Sequence, residues 1–478
     1  MEYFSAEGYE LARQVLQRGI AAVFLIAFLN AAAQFPALLG EHGLLPAPRH
    51  LERSAGRRIP TLFRLHYSDR LLRVVAWTGA VASALLVAGL PQQGPPWVPL
   101  LVFGLVWFLY LSIVNAGQVF YAFGWESLLL EAGFLAAFLG SNEVAPPVTV
   151  LFLFRWLVFR LEFGAGLIKM RGDRVWRDLT ALYYHHETQP MPNPASWFFH
   201  HLPKPLHKAE VLGNHFAQLV VPVFLFFPQP VASIAAALVI LTQLWLVLSG
   251  NFAWLNVLTI LVAFSAVDDA AVRTVLPWAS FGSSDPAGTP LWFVVVVLML
   301  TAAMLYWAWE PLRNLFSRDQ LMNASFNRWH LSNAYGAFGS ITRRRNEVVI
   351  EGTMDEPGPE AHWQEYGFHG KPGDPGRMPR QFAPYHLRLD WLMWFLGLGA
   401  SGGNWFPVLL QRLLAADPQT LRLLRTDPFD GAPPRWIRAR VFRYRFSTSK
   451  ELRTEGIWWV RELAGVLVDP VQRRDRDT

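Results

Sequence analysis

The 478-residue chain is 53% hydrophobic and only 16% charged, with 21 Trp and 35 Phe. Soluble domains average about 25% charged residues, so a chain built only of soluble domains is excluded and one solvated partly by lipid is indicated. It contains no cysteine, which excludes disulfides, thiolate metal sites and a cysteine nucleophile. The net charge of +6 does not point to a nucleic-acid partner, because the basic residues crowd into loops beside apolar segments, where lipid headgroups and orientation signals use them.

In chain order, the N-terminus opens with Glu2, Glu7 and Glu10 and lacks a basic region, so no cleavable signal peptide is expected. A hydrocarbon core needs about 20 apolar helical residues. That window predicts spans near 16–39, 70–90, 97–117, 122–140, 147–169, 211–228, 231–249, 252–267 and 290–309. The 252–267 segment is short enough to be re-entrant. Two long polar loops interrupt the series: residues 40–70, with Arg49, Arg53, Arg57, Arg58, Arg64 and Arg70, and residues 170–210. With nine spans, both loops and the C-terminal region share one membrane face. After Glu310-Pro311 the texture changes: 343–353 and 435–446 read as strands, and 387–399 as an aromatic helix lying on the bilayer. The expected fold is therefore mainly α: a polytopic bundle of eight or nine spans over 1–310, carrying polar loop 170–210, then a membrane-proximal α+β domain over 311–478. No fixed-period repeat is visible, which argues against a transporter.

The fifth span holds the first chemistry-bearing residues. Arg155, Glu162 and Lys169 recur every seven residues and share one helix face. A charge near the bilayer centre costs at least about 2.5–3.5 kcal/mol, so these groups should face the bundle interior. Glu126 and Glu131 are the expected partners for Arg155 or Arg160, and Gly164 and Gly166 should admit a close neighbour. Beyond the span come Arg171, Asp173, Arg177, Asp178, His185, His186 and Glu187, then His207, Glu210, Asn214 and His215. Six of the 13 His lie between 185 and 215. If a helix starts near Lys204, then His207, Glu210 and Asn214 line one face of it. Imidazole beside carboxylate can bind metal or move protons, but the spacing matches no metal motif and no metal is predicted. The bland reading of the whole set is a salt-bridged packing network without chemistry.

Several runs carry a family resemblance: Phe163-Gly-Ala-Gly-Leu-Ile-Lys169, Arg171-Gly-Asp173, Trp176-Arg-Asp-Leu-Thr180, Glu187-Thr-Gln-Pro190, Pro192-Asn-Pro194 and Asn214-His-Phe216. With Tyr385-His386, Arg388-Leu-Asp-Trp391, Met393-Trp-Phe395 and Arg443-Tyr444 further on, the chain resembles the lipase maturation factor family. The resemblance implies a multi-pass membrane chaperone of the endoplasmic reticulum in animals, needed for lipases to fold and assemble. Its C-terminal domain would face the lumen and engage the client. On that basis Tyr385, His386, Arg388, Asp390, Trp391, Trp394 and Phe395 are expected at the client interface, with Trp458 and Trp459 nearby. Two departures stand out. The cysteine-free chain cannot perform thiol exchange itself, and its Arg/Ala-rich composition indicates a bacterial inner membrane. The count of Lys and Arg places the long-loop face in the cytoplasm, whereas the resemblance places it outside. The expected function is a maturation or assembly factor for a secreted or membrane client, lipase-like in kind, working in contact with membrane lipid. The alternative is an intramembrane enzyme, distantly similar to vitamin K-dependent carboxylase, using the charged set on a lipid or quinone. No cofactor is predicted otherwise.

Overall fold

The computed structural model describes residues 4–54, 56, 59–278, 288–400 and 403–472; Arg57 and Arg58 of the basic loop lie outside them. The first helix, α1 (Glu10–Leu39), has 30 residues, about 45 Å at 1.5 Å per residue. It runs through the middle of the bundle, with Leu16, Ile20, Phe24, Phe28 and Phe35 fully buried. Helix α2 (Asp69–Ala88) opens where the Ser68 hydroxyl accepts from the Leu71 amide and ends at left-handed Gly89. Helices α3 (Trp97–Ala116) and α4 (Gly124–Ala136) follow, then α5 (Val148–Arg171). The polar loop holds short α6 (Leu182–Thr188) and leads into α7 (Lys204–Leu219), so this helix does start at Lys204. Helices α8 (Val231–Ser249), α9 (Leu255–Ala263) and α10 (Leu291–Trp307) complete the series.

Every predicted span contains helix, but they are not equal. Among the described residues six helices are long and apolar enough to cross a membrane: Glu10–Leu39, Asp69–Ala88, Trp97–Ala116, Lys204–Phe226, Val231–Ser249 and Leu291–Phe316. A seventh results if Leu255–Ala266 and Asp269–Val275, bent by 108°, form one broken span. This is the segment read as re-entrant. The predicted fourth span is a helix of only 13 residues. It needs no more length, because protein surrounds it: Leu128, Leu129 and Leu130 are all fully buried. The predicted fifth span is 24 residues long, but five charged side chains disqualify it as a lipid-facing segment. Its glycines do admit neighbours. A Cβ on Gly166 would sit 2.7 Å from the Leu219 side chain of α7, and one on Gly164 would meet the Tyr335 carbonyl oxygen at 2.4 Å.

The C-terminal region builds an antiparallel sheet from β1 (Arg345–Thr353), β2 (Gln364–Glu365), β3 (Trp436–Phe446) and β4 (Trp459–Gln472), in the order β2-β1-β3-β4. Both predicted strands are present, and they pair with Arg345 opposite Tyr444 and Thr353 opposite Trp436. Arg438 and Arg440 on β3 share Glu351 on β1, at 2.7 and 2.5 Å, an arrangement set by the two-residue period of a strand. The aromatic helix expected on the bilayer is α11 (Arg388–Gly397), and here the expectation fails. Leu389, Trp391 and Met393 are buried, because the helix is wedged between the bundle and β1. The Trp394 indole donates to the Thr188 carbonyl at 3.1 Å, and a Cβ on Gly397 would meet the Asn346 carbonyl oxygen at 2.4 Å.

Candidate functional site

Two fully buried ion pairs organise the bundle. Glu131 of α4 bridges Arg160 of α5, one of the pairings expected. The same carboxylate accepts from Tyr335 Oη at 2.8 Å, from Asn333 Nδ2 at 2.9 Å and from the Asn333 amide at 3.1 Å, while Arg160 also donates to the Asn333 carbonyl at 2.6 Å. Glu126, one helix turn earlier, pairs with neither Arg155 nor Arg160. Its partner is Arg388 at 2.7 Å, with Tyr110 Oη donating to the other oxygen at 2.5 Å. Arg388 also donates to Asn30 at 2.9 Å and to the Phe120 carbonyl at 2.8 Å, and lies over the Tyr121 ring at 3.5 Å. A buried carboxylate and guanidinium bonded in this way are a joint between the N- and C-terminal parts of the chain.

The heptad face of α5 also turns inward, but onto amides and carbonyls rather than countercharges. Arg155 donates to the Ser265 carbonyl at 3.2 Å and to Tyr9 Oη at 3.0 Å. Glu162 accepts from Gln243 at 2.6 Å. Lys169 donates to Asn214 and to Gln218, both at 2.9 Å, and sits over the Trp176 ring at 4.7 Å. Each of these three charged groups of α5 is thus hydrogen-bonded within the protein.

Structural duties also absorb much of the following segment. Arg171 donates to Gln320 at 2.7 Å and to the Leu315 carbonyl at 2.9 Å. Asp173 caps the Val175 amide and faces Arg343 at 3.4 Å; Arg177 reaches the Met170 carbonyl at 3.3 Å; Asp178 pairs with exposed Arg174 at 3.1 Å. His215 contacts the Trp176 carbonyl at 3.0 Å, and His185 lies parallel to the Phe252 ring at 6.3 Å. Glu187 accepts from the Phe446 amide at 2.8 Å, tying the loop to β3, and burial raises its carboxyl above the usual range.

Three groups stand apart. His186 of α6 and His207 and Glu210 of α7 bring one ligand-type atom each to within 4.8 Å of one another. His186 Nε2 lies 4.0 Å from Glu210 Oε2. Both nitrogens of His186, His207 Nδ1 and Glu210 Oε2 are buried without a hydrogen-bond partner. Burial first, and neighbouring histidines next, hold His186 well below the usual imidazole range, so its ring is neutral. The linear spacing hid this cluster, because only His207 and Glu210, three apart on α7, are neighbours in sequence.

The residues expected at the client interface are mostly buried. His386, Arg388, Asp390 and Trp391 are all buried, because the segment plugs into α1 and α4. Asn30 and Gln34 both donate to the His386 carbonyl, at 2.7 and 2.8 Å, and Gln34 meets Tyr385 Oη at 3.2 Å. Trp394 is half-buried, leaving Phe395, 38% exposed, as the open member of the set; Trp459 is buried as well. Sequence reading missed a third buried cluster. Glu347 holds Arg345 and Lys371, each at 2.6 Å, and Arg345 donates to the carbonyls of Glu187 at 2.9 Å, of Pro190 at 3.1 Å and of Gln189. Its signal was Arg345 and Glu347 alternating onto one face of a strand.

Both halves of this architecture have relatives. Residues 11–274 match the lipase maturation factor transmembrane domain, and residues 331–469 match the lipase maturation factor C-terminal domain. The chain belongs to the lipase maturation factor family. Lipase maturation factor 1 of Bos taurus is 40% identical over 97% of this chain and 90% of its own length, and that of Homo sapiens 40% over 96% and 88%. Lipase maturation factor 2 of Homo sapiens is 29% identical over 95% of this chain and 82% of its own. No solved structure matches. The joints described above, Glu126 with Arg388 and Glu131 with Arg160, therefore lie within the two matched regions of a lipase maturation factor.

Proposed function

We propose that this chain is a membrane-embedded maturation factor for a secreted, lipase-like client. The near full-length likeness to lipase maturation factor 1, 40% identical over 97% of the chain, carries the reading. In it, residues 1–310 form the membrane bundle and residues 311–478 hold the client, both long loops and the C-terminal region lying outside a bacterial inner membrane. With no cysteine, the chain holds its client non-covalently. The buried aromatic helix α11 cannot supply the surface, so the holding edge is β4. This is an edge strand in the order β2-β1-β3-β4, with Leu463, Val466, Leu467 and Val471 exposed. Open backbone groups flanked by apolar side chains suit an extended segment of an unfinished client.

The experiment compares secreted lipase in cells with and without this chain. Active enzyme should fall several-fold without it, at unchanged synthesis, and the lipase should co-purify with the wild-type chain but less with Leu463→Lys/Val466→Lys. Unchanged active lipase would overturn the reading. A reporter fused at the C-terminus should be active only if exported; a cytoplasmic C-terminus would sink the proposed orientation.

A further inference from the structure

We propose that His186, His207 and Glu210 bind one divalent transition-metal ion, zinc by the chemistry of the donors, and that the ion ties α6 of the polar loop to the polar end of α7. The three ligand atoms already lie within 4.8 Å of one another. Tetrahedral zinc, with bonds of about 2.0–2.1 Å, holds its ligand atoms about 3.3 Å apart. Side-chain movements of about 1 Å close that gap.

The rest of the geometry leaves these atoms free for such a task. A ring nitrogen facing a carbonyl carries the proton, and His207 Nε2 faces the His200 carbonyl at 3.3 Å. Its Nδ1 therefore keeps the lone pair, and that is the unpartnered nitrogen. Glu210 Oε1 accepts from the Trp245 indole at 2.6 Å, leaving Oε2 as the unpartnered oxygen. Metal sites orient their histidines and carboxylates through outer hydrogen bonds of this kind. His186 has neither ring nitrogen bonded and is only 1% exposed. A packing cluster would leave those buried polar atoms unsatisfied, at about 1–3 kcal/mol each.

Two imidazoles and one carboxylate select a borderline acid such as zinc. Calcium and magnesium prefer sets made wholly of oxygen, and the soft sulfur ligands that favour copper(I) are absent from the cluster. The rings of Tyr183, Phe199 and Trp245 wall the cluster, with centroids 5.9 Å from His207, 5.7 Å from His186 and 4.9 Å from Phe199 respectively. Three protein ligands leave a fourth position for water.

The test uses the full-length chain purified in detergent, with cobalt(II) and zinc(II) as probes. Chelator-treated protein should take up one cobalt per chain with the visible absorption of a tetrahedral site, and zinc should displace it. Chelation should lower the thermal midpoint and zinc should restore it. His207→Ala and Glu210→Gln should weaken binding at least 100-fold. Trp245→Phe, which only releases the outer hydrogen bond, should weaken it about 10–100-fold. His201→Ala, an exposed histidine outside the cluster, should bind as the wild type does. The proposal is overturned if the wild-type chain takes up neither ion. It is equally overturned if His207→Ala binds normally, or if His201→Ala loses the metal as fully. Wild-type uptake decides the matter should an alanine variant fail to fold. No client enters these readouts, so their failure and that of the maturation reading are separable.

Discussion

Arg388 and Glu126, 262 residues apart in the chain, meet at 2.7 Å in a fully buried pair. This contact locks the first turn of α11 into the bundle. Tyr110 donates to the other Glu126 oxygen, and Asn30 and the Phe120 carbonyl accept from Arg388. His386 lies 3.5 Å from the same carboxylate. It contributes no charge there, because burial and then Arg388 push its imidazole down to about 4.

Glu126→Gln or Arg388→Met should therefore each destabilise the protein by about 3–5 kcal/mol, since either leaves one buried charge uncompensated. The double variant should lose less than the sum of the two. Thermal unfolding of monodisperse protein in detergent measures the cycle. Strict additivity would show that the pair is not coupled.

Glu162→Gln should be mild. Glu162 accepts from Gln243 at 2.6 Å, and a glutamine carbonyl can do the same. Stability should change by about 1 kcal/mol or less, and delivery of active lipase should stay at the wild-type level. A folded but inactive variant would instead put chemistry at this carboxylate.

The charges on α5 were legible because a charged residue in an apolar segment has to turn inward, and the period of the helix shows which ones turn together. Arg155, Glu162 and Lys169 do so. Their partners were less legible, since Gln243, Asn214 and Ser265 come from other helices and carry no charge to mark them. The Glu131–Arg160 pair could be anticipated from adjacent spans, whereas the Arg388 partnership could not at such sequence separation. The aromatic stripe of α11 was misread because bilayer-facing and buried helices share one composition. Arg388 and Asp390 in its first turn were the sign of burial. The His186 cluster stayed hidden because its ligands span two helices.

Asp390 gives stability a pH signature. Burial raises its carboxyl from 3.8 to about 6, against the pull of the Gly370 amide, 2.6 Å away, and of Lys371. The folded state thus prefers the protonated form. The stabilisation is complete below about pH 3.8 and is lost as pH rises through about 6. Asp390→Asn keeps an acceptor for the Gly370 amide and removes the titration. It should be more stable than the wild type at pH 8 by about 1–3 kcal/mol, with a smaller difference at pH 5. Parallel melting-temperature profiles for the two proteins would show that Asp390 does not titrate in this range.

Arg345 tests the link between sheet and loop. Its guanidinium reaches the carbonyls of Glu187, Gln189 and Pro190 while pairing with Glu347 at 2.6 Å. A lysine keeps the charge but presents one compact head that cannot span those acceptors. Arg345→Lys should therefore destabilise the protein by about 1.5–3 kcal/mol, the scale of a lost hydrogen bond to a charged group. Because the freed carbonyls lie between α6 and the segment leading to α7, hydrogen exchange at 187–196 should rise well before exchange in α1 or α3 does. Uniform loosening of the whole chain would mean that Arg345 supports global stability rather than this loop.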